Sequence, residues 1–235
     1  MKINNLWVIM PVYNEQACIE SVVLEWYNEL IKYNIPFVFC VINDGSKDNT
    51  LKILLDLTFK LPLLKIVDKL NSGHGQTCIY GYKLAVDNDA DWVFQIDSDG
   101  QCDPKFFEIF LNKSNQNVRA NYFGNRTTRD DGFKRILISK FVTLFTFLAT
   151  KIFVKDANVP YRLMNSDDLK KIIHLIPEDF YLANICLSVH LKKVNDIVWI
   201  PIHFNDRRAG VPSVKTFSFV KHGFKLFRQL RETIN

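Results

Sequence analysis

Trp92-Val93-Phe94-Gln95-Ile96-Asp97-Ser98-Asp99-Gly100-Gln101 is an almost unbroken apolar run that ends in two carboxylates one residue apart and then a glycine. A continuous apolar run, in place of strict alternation, is the pattern of a strand buried on both faces, as in a parallel sheet. Working outward, similar short runs occur at 6–10, closed by Pro11, at 37–42 and at 64–67. Between them, residues 17–33, 50–59 and 76–86 carry apolar residues at helical spacing. Strand and helix therefore alternate through the first hundred residues, which predicts a mostly parallel α/β sheet flanked by helices. Three of the strands end in polar clusters: Pro11-Val12-Tyr13-Asn14-Glu15, Asn43-Asp44-Gly45-Ser46 and Asp97-Ser98-Asp99-Gly100-Gln101. Ligands of open parallel sheets bind beyond the carboxyl ends of the strands, so these clusters are expected to line one crevice.

The chain has 235 residues and a mass of 27.4 kDa, with 48% apolar and 23% charged residues, enough to bury a real core and too polar for a membrane bundle. Nine Gly and eight Pro are too few for low complexity, and 19 Phe are too many for disorder. Five cysteines without a CxxC pair, behind a start with no charged-then-apolar leader, give five free thiols and a cytoplasmic location as the expectation. Of the net charge of +5, residues 207–235 carry +6, from seven basic groups against one acid. A near-neutral body with a basic end argues against a general nucleic-acid binder, whose positive charge covers a folded face.

Beyond residue 115 the rhythm changes. A strand is expected at 118–124, a polar stretch at 125–132, a long helix over 133–154, a further strand within 158–165, a helix at 181–192 and a last strand at 197–200, ended by Pro201. Neither an internal repeat nor a linker divides the chain, so one domain over 1–235 is expected.

The carboxylates Asp97 and Asp99 raise each other's pKa unless a cation lies between them, and hard oxygen ligands that leave room for water and phosphate suit Mg²⁺ or Mn²⁺. The plainer reading is a polar turn after a strand. Tyr13 can stack on a base, Glu15 and Asp44 can accept from ribose hydroxyls or a ring N–H, and Gly45 lets backbone approach closely. Against this, Asn14 or Glu15 can cap the following helix, and Asp44-Gly45 can be an ordinary turn.

The segments VIMPVYNE (8–15), VINDGSKDNT (41–50), Asn71-Ser72-Gly73-His74-Gly75 and QIDSDGQ (95–101), in this order, resemble the family-2 glycosyltransferases of the GT-A (Rossmann-like) fold. The resemblance implies a nucleoside-diphosphate sugar donor, UDP- or GDP-linked, with a divalent metal and inversion at the anomeric carbon. It places Pro11, Tyr13, Glu15 and Asp44 on the nucleoside, and Asp97, Asp99 and Gln101 on metal and diphosphate. GNRTTRDDGFKRILIS (124–139), DANVPYRLM (156–164) and IPIHFNDRRAGVPSV (200–214) are similar to the polyprenyl-phosphate glycosyltransferases, the group that includes dolichyl-phosphate mannose synthase. That similarity implies acceptor-phosphate contacts from Arg126, Arg135 and Ser139, and a donor-phosphate contact from Arg208 or its neighbour Arg207. The usual Gly-Ser-Lys after that arginine is here Gly210-Val211-Pro212-Ser213-Val214. The expected layout is a nucleotide-sugar half at 1–115, an acceptor half at 116–214 and a basic amphipathic helix at 215–235.

On a helical wheel, Lys140, Thr143, Thr146, Thr150 and Lys151 extend the arc of Arg135 and Ser139, with Phe141, Val142, Phe145, Leu148, Ala149, Ile152 and Phe153 opposite. Such a helix either lies on the sheet or lies in a bilayer interface; the lysines interrupt it well short of the roughly 20 apolar residues needed to span. The tail repeats the pattern, with Phe217, Val220, Phe224, Phe227, Leu230 and Ile234 against Lys221, Lys225, Arg228 and Arg231. Peripheral contact with the cytoplasmic face of a membrane, or with a membrane-spanning partner, is the resulting expectation.

A phosphate acceptor is already anionic and needs positioning by Arg126 and Arg135; a sugar-hydroxyl acceptor, as in a polysaccharide-building enzyme, needs a carboxylate base, for which Asp179 and Asp156 are the candidates. A nucleotidyltransferase would want a Gly-rich basic loop near the first strand, which PVYNE does not offer. A non-catalytic nucleotide-sugar-binding subunit would have an incomplete donor site, whereas Asp44, Asp97 and Asp99 are all present.

Overall fold

The computed structural model describes residues 3–116, 119–129, 133–180, 182–208 and 219–234; for residues 129, 133–136 and 219–224 the description is of the backbone alone. The strands are β1 (Leu6–Val12), β2 (Phe37–Asp44), β3 (Leu64–Lys69), β4 (Trp92–Gln95), β5 (Asn121–Arg129), β6 (Arg162–Asn165) and β7 (Ile197–Phe204). They form one seven-stranded sheet in the order β3-β2-β1-β4-β6-β5-β7. β1 to β4 are parallel, β6 runs antiparallel to both its neighbours, and β7 pairs parallel with β5. The helices are α1 (Ile19–Leu30), α2 (Thr50–Thr58), α3 (His74–Asp87), α4 (Phe107–Asn115), α5 (Phe133–Thr150), α6 (Ser166–Ile172), α7 (Ala183–Val194) and α8 (Phe219–Ile234). This is the mostly parallel, helix-flanked α/β sheet that the sequence predicts. Because the chain runs from β1 outward to β3 and then returns to β4 on the other side of β1, the strand order reverses at β1 and β4. A crevice opens at such a switch point.

Two prolines expected to end strands lie inside them. In β1, Leu6 N–H is donated to Pro36 O on the β2 side, and Ile9 O accepts from Ile96 on the β4 side. Pro11 therefore turns its missing N–H toward the β4 side, past the end of β4 at Gln95, where no ladder partner is lost. Pro201 lies in β7, an edge strand, where a missing donor is tolerated. The polar stretch after residue 124 also proves to be strand, since β5 pairs with β7 as far as Arg129–Phe204. The expected strand start at Val118 lies outside the described residues, as does Tyr181, the expected start of α7.

One side of the sheet is sealed by aromatic rings. Phe94 of β4 lies 5.0 Å from both Phe107 and Tyr161, Tyr161 lies 4.8 Å from Phe110, and Trp26 of α1 lies 5.8 Å from Phe94. Tilted ring pairs of this kind add about 0.5–1.5 kcal/mol each beyond the area they bury. All five cysteines are free and buried.

The long helix α5 mixes the two expected arcs, burying Val142 and Ala149 of the apolar one together with threonines of the polar one. Thr146 is fully buried and Thr150 nearly so, whereas Leu137, Phe141, Leu144 and Leu148, one stripe at i, i+4, i+7 and i+11, stand exposed, Leu144 at 53%. Thr150 satisfies its hydroxyl on the Thr146 carbonyl at 2.7 Å, which lets a threonine face inward. α8 shows the plainer arrangement: Leu226, Leu230 and Ile234 are buried, Phe227 packs 6.0 Å from Phe145 of α5, and Lys225, Arg228 and Arg231 face outward. Among the described residues, no helix is long and apolar enough to cross a membrane.

His190 of α7 is buried, and among the described residues its Nε2 has no hydrogen-bond partner. Burial, then Lys193 and His174, push its pKa from 6.5 down to about 4. Between those values the unfolded chain binds a proton that the folded chain refuses, so stability rises with pH there. Unfolding in urea is expected to show a loss of up to about 3 kcal/mol from pH 7 to pH 4 from this group. His190→Leu should flatten that slope, and an unchanged slope would contradict the assignment.

Candidate active site

The loops after β1 and β2 are stitched into one wall. Asn14, in the left-handed region at φ 54°, donates its N–H to Ser46 Oγ at 3.0 Å and accepts from Lys47 N–H at 2.8 Å. Glu15 N–H is donated to Thr50 Oγ1 at 2.9 Å, and Asn49 N–H to Gln16 Oε1 at 2.9 Å. Asn14 and Gln16 thus spend their side chains on the loop after β2; α1 has no side-chain cap. Tyr13 stands 41% exposed on the rim.

Asp44, at the end of β2, is only 2% exposed. Its Oδ1 accepts from Lys69 Nζ at 2.5 Å and Ser72 N–H at 2.9 Å, and its Oδ2 from Gly73 N–H at 2.9 Å. Burial raises its pKa, but Lys69, Ser72 and Thr77 together outweigh burial and hold it below the usual carboxylate value. Asp44 therefore anchors the loop 70–73 to the sheet. Gly45 makes this possible: its φ is +67°, and a Cβ there would lie 2.9 Å from Asn71 N. Lys69→Met leaves the Asp44 charge buried without its cation, so urea unfolding should show a loss of roughly 3 kcal/mol; a loss under about 1 kcal/mol would show that the loop amides alone suffice.

The segment after β4 is the electrostatic centre. Asp99 Oδ1 accepts from Gln101 N–H at 3.1 Å, and Gln101 Nε2 is donated to Asn205 O at 2.9 Å, tying this loop to the end of β7. Burial, then the neighbouring Asp97 carboxylate, push the Asp99 pKa from 3.8 up to about 6. Asp97 Oδ1 is buried and, among the described residues, accepts no hydrogen bond. His74 Nε2, at the start of α3, lies 3.6 Å from it and 3.6 Å from Cys78 Sγ. Burial opposes protonation of His74, but Cys78, Asp97 and Asp99 raise its pKa overall.

The two arginines after β7 divide their roles. Arg207 reaches into the crevice, bonded through Nη2 to Glu15 Oε1, with Nη1 3.6 Å from Asp99 Oδ2. Arg208, the residue favoured on the sequence, turns outward and grips Glu25 of α1 through Nη1 and Nη2 at 2.5 and 2.7 Å. Its N–H is donated to Asp99 O at 3.1 Å, and its side chain lies across Gly100, where a Cβ would come within 2.5 Å of Arg208 Cδ. The motif Arg207-Arg208 signals one inward guanidinium but not which; Glu25, one turn from the end of α1, decides it.

On the other side of this segment, Arg126 of β5 holds Asp156 in a buried bidentate pair, Nε to Oδ2 at 2.8 Å and Nη2 to Oδ1 at 2.6 Å. Its guanidinium carbon lies 5.2 Å from the ring of Phe204, whose backbone bridges to Cys102. Arg126 and Asp156 therefore adjoin the Asp97–Asp99 loop. Ser139 lies half-buried on α5; the Arg135 side chain and residues 209–218, which include the Gly210–Val214 stretch, lie outside those described. Asp179 is exposed on a surface cleft against α8, its carbonyl accepting from Gln229 at 3.1 Å.

A divalent cation fits the donor set at Asp97 and Asp99. One oxygen of Asp97 is buried and accepts no hydrogen bond among the described residues, with the His74 ring 3.6 Å away, Asp99 is held toward its proton by burial and like charge, and a hard cation relieves both. Among the described residues no group of three or more His, Cys, Asp or Glu side chains is gathered as a cage, and a hard cation leaves room for water and phosphate oxygens beside two carboxylates.

The chain is 29% identical over 248 residues to a UDP-N-acetylglucosamine–dolichyl-phosphate N-acetylglucosaminyltransferase of Methanococcus voltae, covering 96% of this chain and 94% of the relative. It is 21% identical to the polyprenol monophosphomannose synthase of Mycolicibacterium smegmatis, over 93% of this chain and 84% of that one. Of solved structures, S. aureus TarS 1–349 in complex with UDP-GlcNAc superposes with a TM-score of 0.65 at 20% identity, over 98% of this chain and 66% of that one. Glucosyl-3-phosphoglycerate synthase from Mycobacterium tuberculosis with Mn²⁺, UDP and phosphoglyceric acid gives 0.67 at 15% identity, over 98% and 77%. These two likenesses carry the GT-A fold. The model of Glycosyl transferase family 2 matches residues 7–181, three-quarters of the chain with the ends of β1, β2 and β4, and the chain belongs to that family of glycosyltransferases.

Proposed function

We propose that this enzyme moves a sugar, with inversion, from a nucleoside-diphosphate sugar to a polyprenyl phosphate. The observation that carries the reading is the meeting, at the carboxyl ends of β1 and β4, of the buried Asp97 oxygen that accepts no hydrogen bond among the described residues, Asp99 and the Arg207 guanidinium, with the Arg126–Asp156 pair adjoining them. The choice of acceptor rests on likeness over nearly the whole length to two lipid-phosphate transferases.

Residues 1–115 hold the donor, with Pro11, Tyr13 and Glu15 beside the nucleoside and Asp44 shaping the floor of its pocket through loop 70–73. A divalent cation, Mg²⁺ or Mn²⁺, bound at Asp97 and Asp99 with Gln101 beside them, supplies charge neutralisation for the departing diphosphate. Arg207 adds a fork of N–H donors suited to phosphate oxygens, and Arg208 braces the loop that carries Asp99. Arg126, with Arg135 and Ser139 from α5, orients the acceptor phosphate, whose oxygen is anionic at neutral pH and attacks without a general base. Asp156 holds Arg126 in place, so its carboxylate is committed to a guanidinium.

The exposed stripe of α5, with Phe153 61% exposed beyond it, lies in a bilayer interface at the cytoplasmic face, where a polyprenyl chain is anchored. Leu144→Glu/Leu148→Glu is expected to cut the fraction that sediments with anionic liposomes several-fold at unchanged helix content. Equal sedimentation would remove the membrane role of α5.

The test of the reading is an incubation of the chain with a panel of UDP- and GDP-sugars, Mn²⁺, and either a short polyprenyl phosphate or a sugar acceptor. A glycosyl polyprenyl phosphate is the expected product. Transfer to the hydroxyl acceptor alone would sink the lipid-phosphate assignment and turn attention to Asp179 as a base.

A further inference from the structure

Arg207 follows β7 in sequence yet reaches acids from two other strand ends, Glu15 after β1 and Asp99 after β4. Both are buried, at 4% and 12% side-chain exposure, and the guanidinium is itself only 22% exposed. The second oxygen of Glu15 accepts from Cys18 Sγ at 3.4 Å, and Gln101 N–H holds the second oxygen of Asp99, so both carboxylates are fixed in orientation toward the arginine. The crevice thus carries its own cation at Asp99, one of the two groups that suit a divalent ion. A bare dication approaching Asp99 meets a guanidinium 3.6 Å from the oxygen it needs, and like charges at such range repel in a partly buried site. An ion that arrives with a diphosphate offers the guanidinium a new anionic partner of matching fork geometry.

We infer that Arg207 is a resident counter-cation that makes metal and nucleotide bind as a unit, suppressing capture of free metal and strengthening capture of the metal–diphosphate. It is a positioning residue that acts through the charge of Asp99 and Glu15, and the inference rests on Asp97 and Asp99 as the metal-holding pair. In thermodynamic terms, Arg207 raises the coupling between the metal and nucleotide sites, and the coupling is reciprocal.

The test is a Mn²⁺ titration of the full chain followed by electron paramagnetic resonance, alone and with saturating UDP or GDP, on the wild type and on Arg207→Gln, Arg207→Lys and Asp99→Asn. Arg207→Gln should bind Mn²⁺ alone about tenfold tighter than wild type, the equivalent of about 1.4 kcal/mol. It should bind the nucleotide weaker in the presence of Mn²⁺, so that the factor by which nucleotide tightens Mn²⁺ shrinks by one to two orders of magnitude. Arg207→Lys, which keeps the charge, should stay near wild type in Mn²⁺ affinity. Equal or weaker binding of bare Mn²⁺ by Arg207→Gln, with an unchanged coupling factor, would overturn the inference while leaving the metal site intact. If Asp99→Asn binds Mn²⁺ with nucleotide as well as wild type does, the metal assignment itself fails, and this inference with it.

Discussion

Asp99→Asn is expected to lower sugar transfer by at least about a thousandfold, the size of effect seen when a principal electrostatic contact to developing charge is removed, yet to leave the fold no less stable. The two halves of this expectation have one cause. Asp99 is buried beside Asp97 and its pKa is raised to about 6, so above that pH the folded chain maintains an ionised carboxylate that the surroundings disfavour. A carboxyl whose folded pKa lies above its unfolded value destabilises at high pH and ceases to do so as pH falls through the two values. In EDTA at pH 8 the asparagine variant removes that ionised group, and its unfolding free energy should match or exceed wild type, by up to about 3 kcal/mol on the linkage relation. Loss of the 3.6 Å contact with Arg207 works in the other direction and limits the gain. A variant that loses both transfer and stability would mark Asp99 as a structural turn residue, the plainer reading of Asp-Ser-Asp-Gly.

The second large effect is expected at Arg126. Its bidentate bond to Asp156 is buried, at 11% and 7% side-chain exposure, so Arg126→Leu strands a carboxylate and should lower stability by about 3–5 kcal/mol. Replacing both partners removes the stranded charge. Arg126→Leu/Asp156→Leu should therefore recover most of that loss, whereas transfer to polyprenyl phosphate should stay depressed at least about a hundredfold, chiefly through the acceptor KM. Calorimetry and initial rates on the two variants separate these outcomes. Full recovery of transfer in the double variant would confine the pair to stability and leave acceptor positioning to α5.

The part of the molecule readable from sequence is the part where one physical rule dominates. β1, β2 and β4 are buried on both faces along almost their whole length, so each must be largely apolar, and their runs stand out without periodicity. The polar clusters that end them are equally plain, because a sheet buried on both faces leaves only its strand ends for chemistry. The crevice built from Glu15, Asp44, Asp97 and Asp99 follows directly. What escaped depends on neighbours distant in sequence. The end of β5, Asn125 to Arg129, looks like a loop because residues 125–128 are half-buried or exposed and need no apolar side chains, although they pair with β7. The helical wheel of α5 does not show which side is buried, because a threonine of its polar arc can face inward. Thr150 hides its hydroxyl on its own helix, and leucine and phenylalanine remain outside. Which of Arg207 and Arg208 enters the crevice is fixed by Glu25, a residue 182 positions before Arg207 that no motif marks. The Asp44–Lys69 bond was hidden for the same reason: nothing in the local pattern of β3 sets Lys69 apart from its other charged residues.

A transfer assay under metal control bears hardest on the proposed mechanism. With the donor that the panel selects and a short polyprenyl phosphate, wild-type chain in excess EDTA should form no glycosyl polyprenyl phosphate, excess Mn²⁺ or Mg²⁺ should restore formation with inverted anomeric configuration, and Asp97→Asn should remain inactive in either ion. Undiminished transfer in EDTA, or an Asp97→Asn variant as fast as wild type, would contradict a cation held at the ends of these strands.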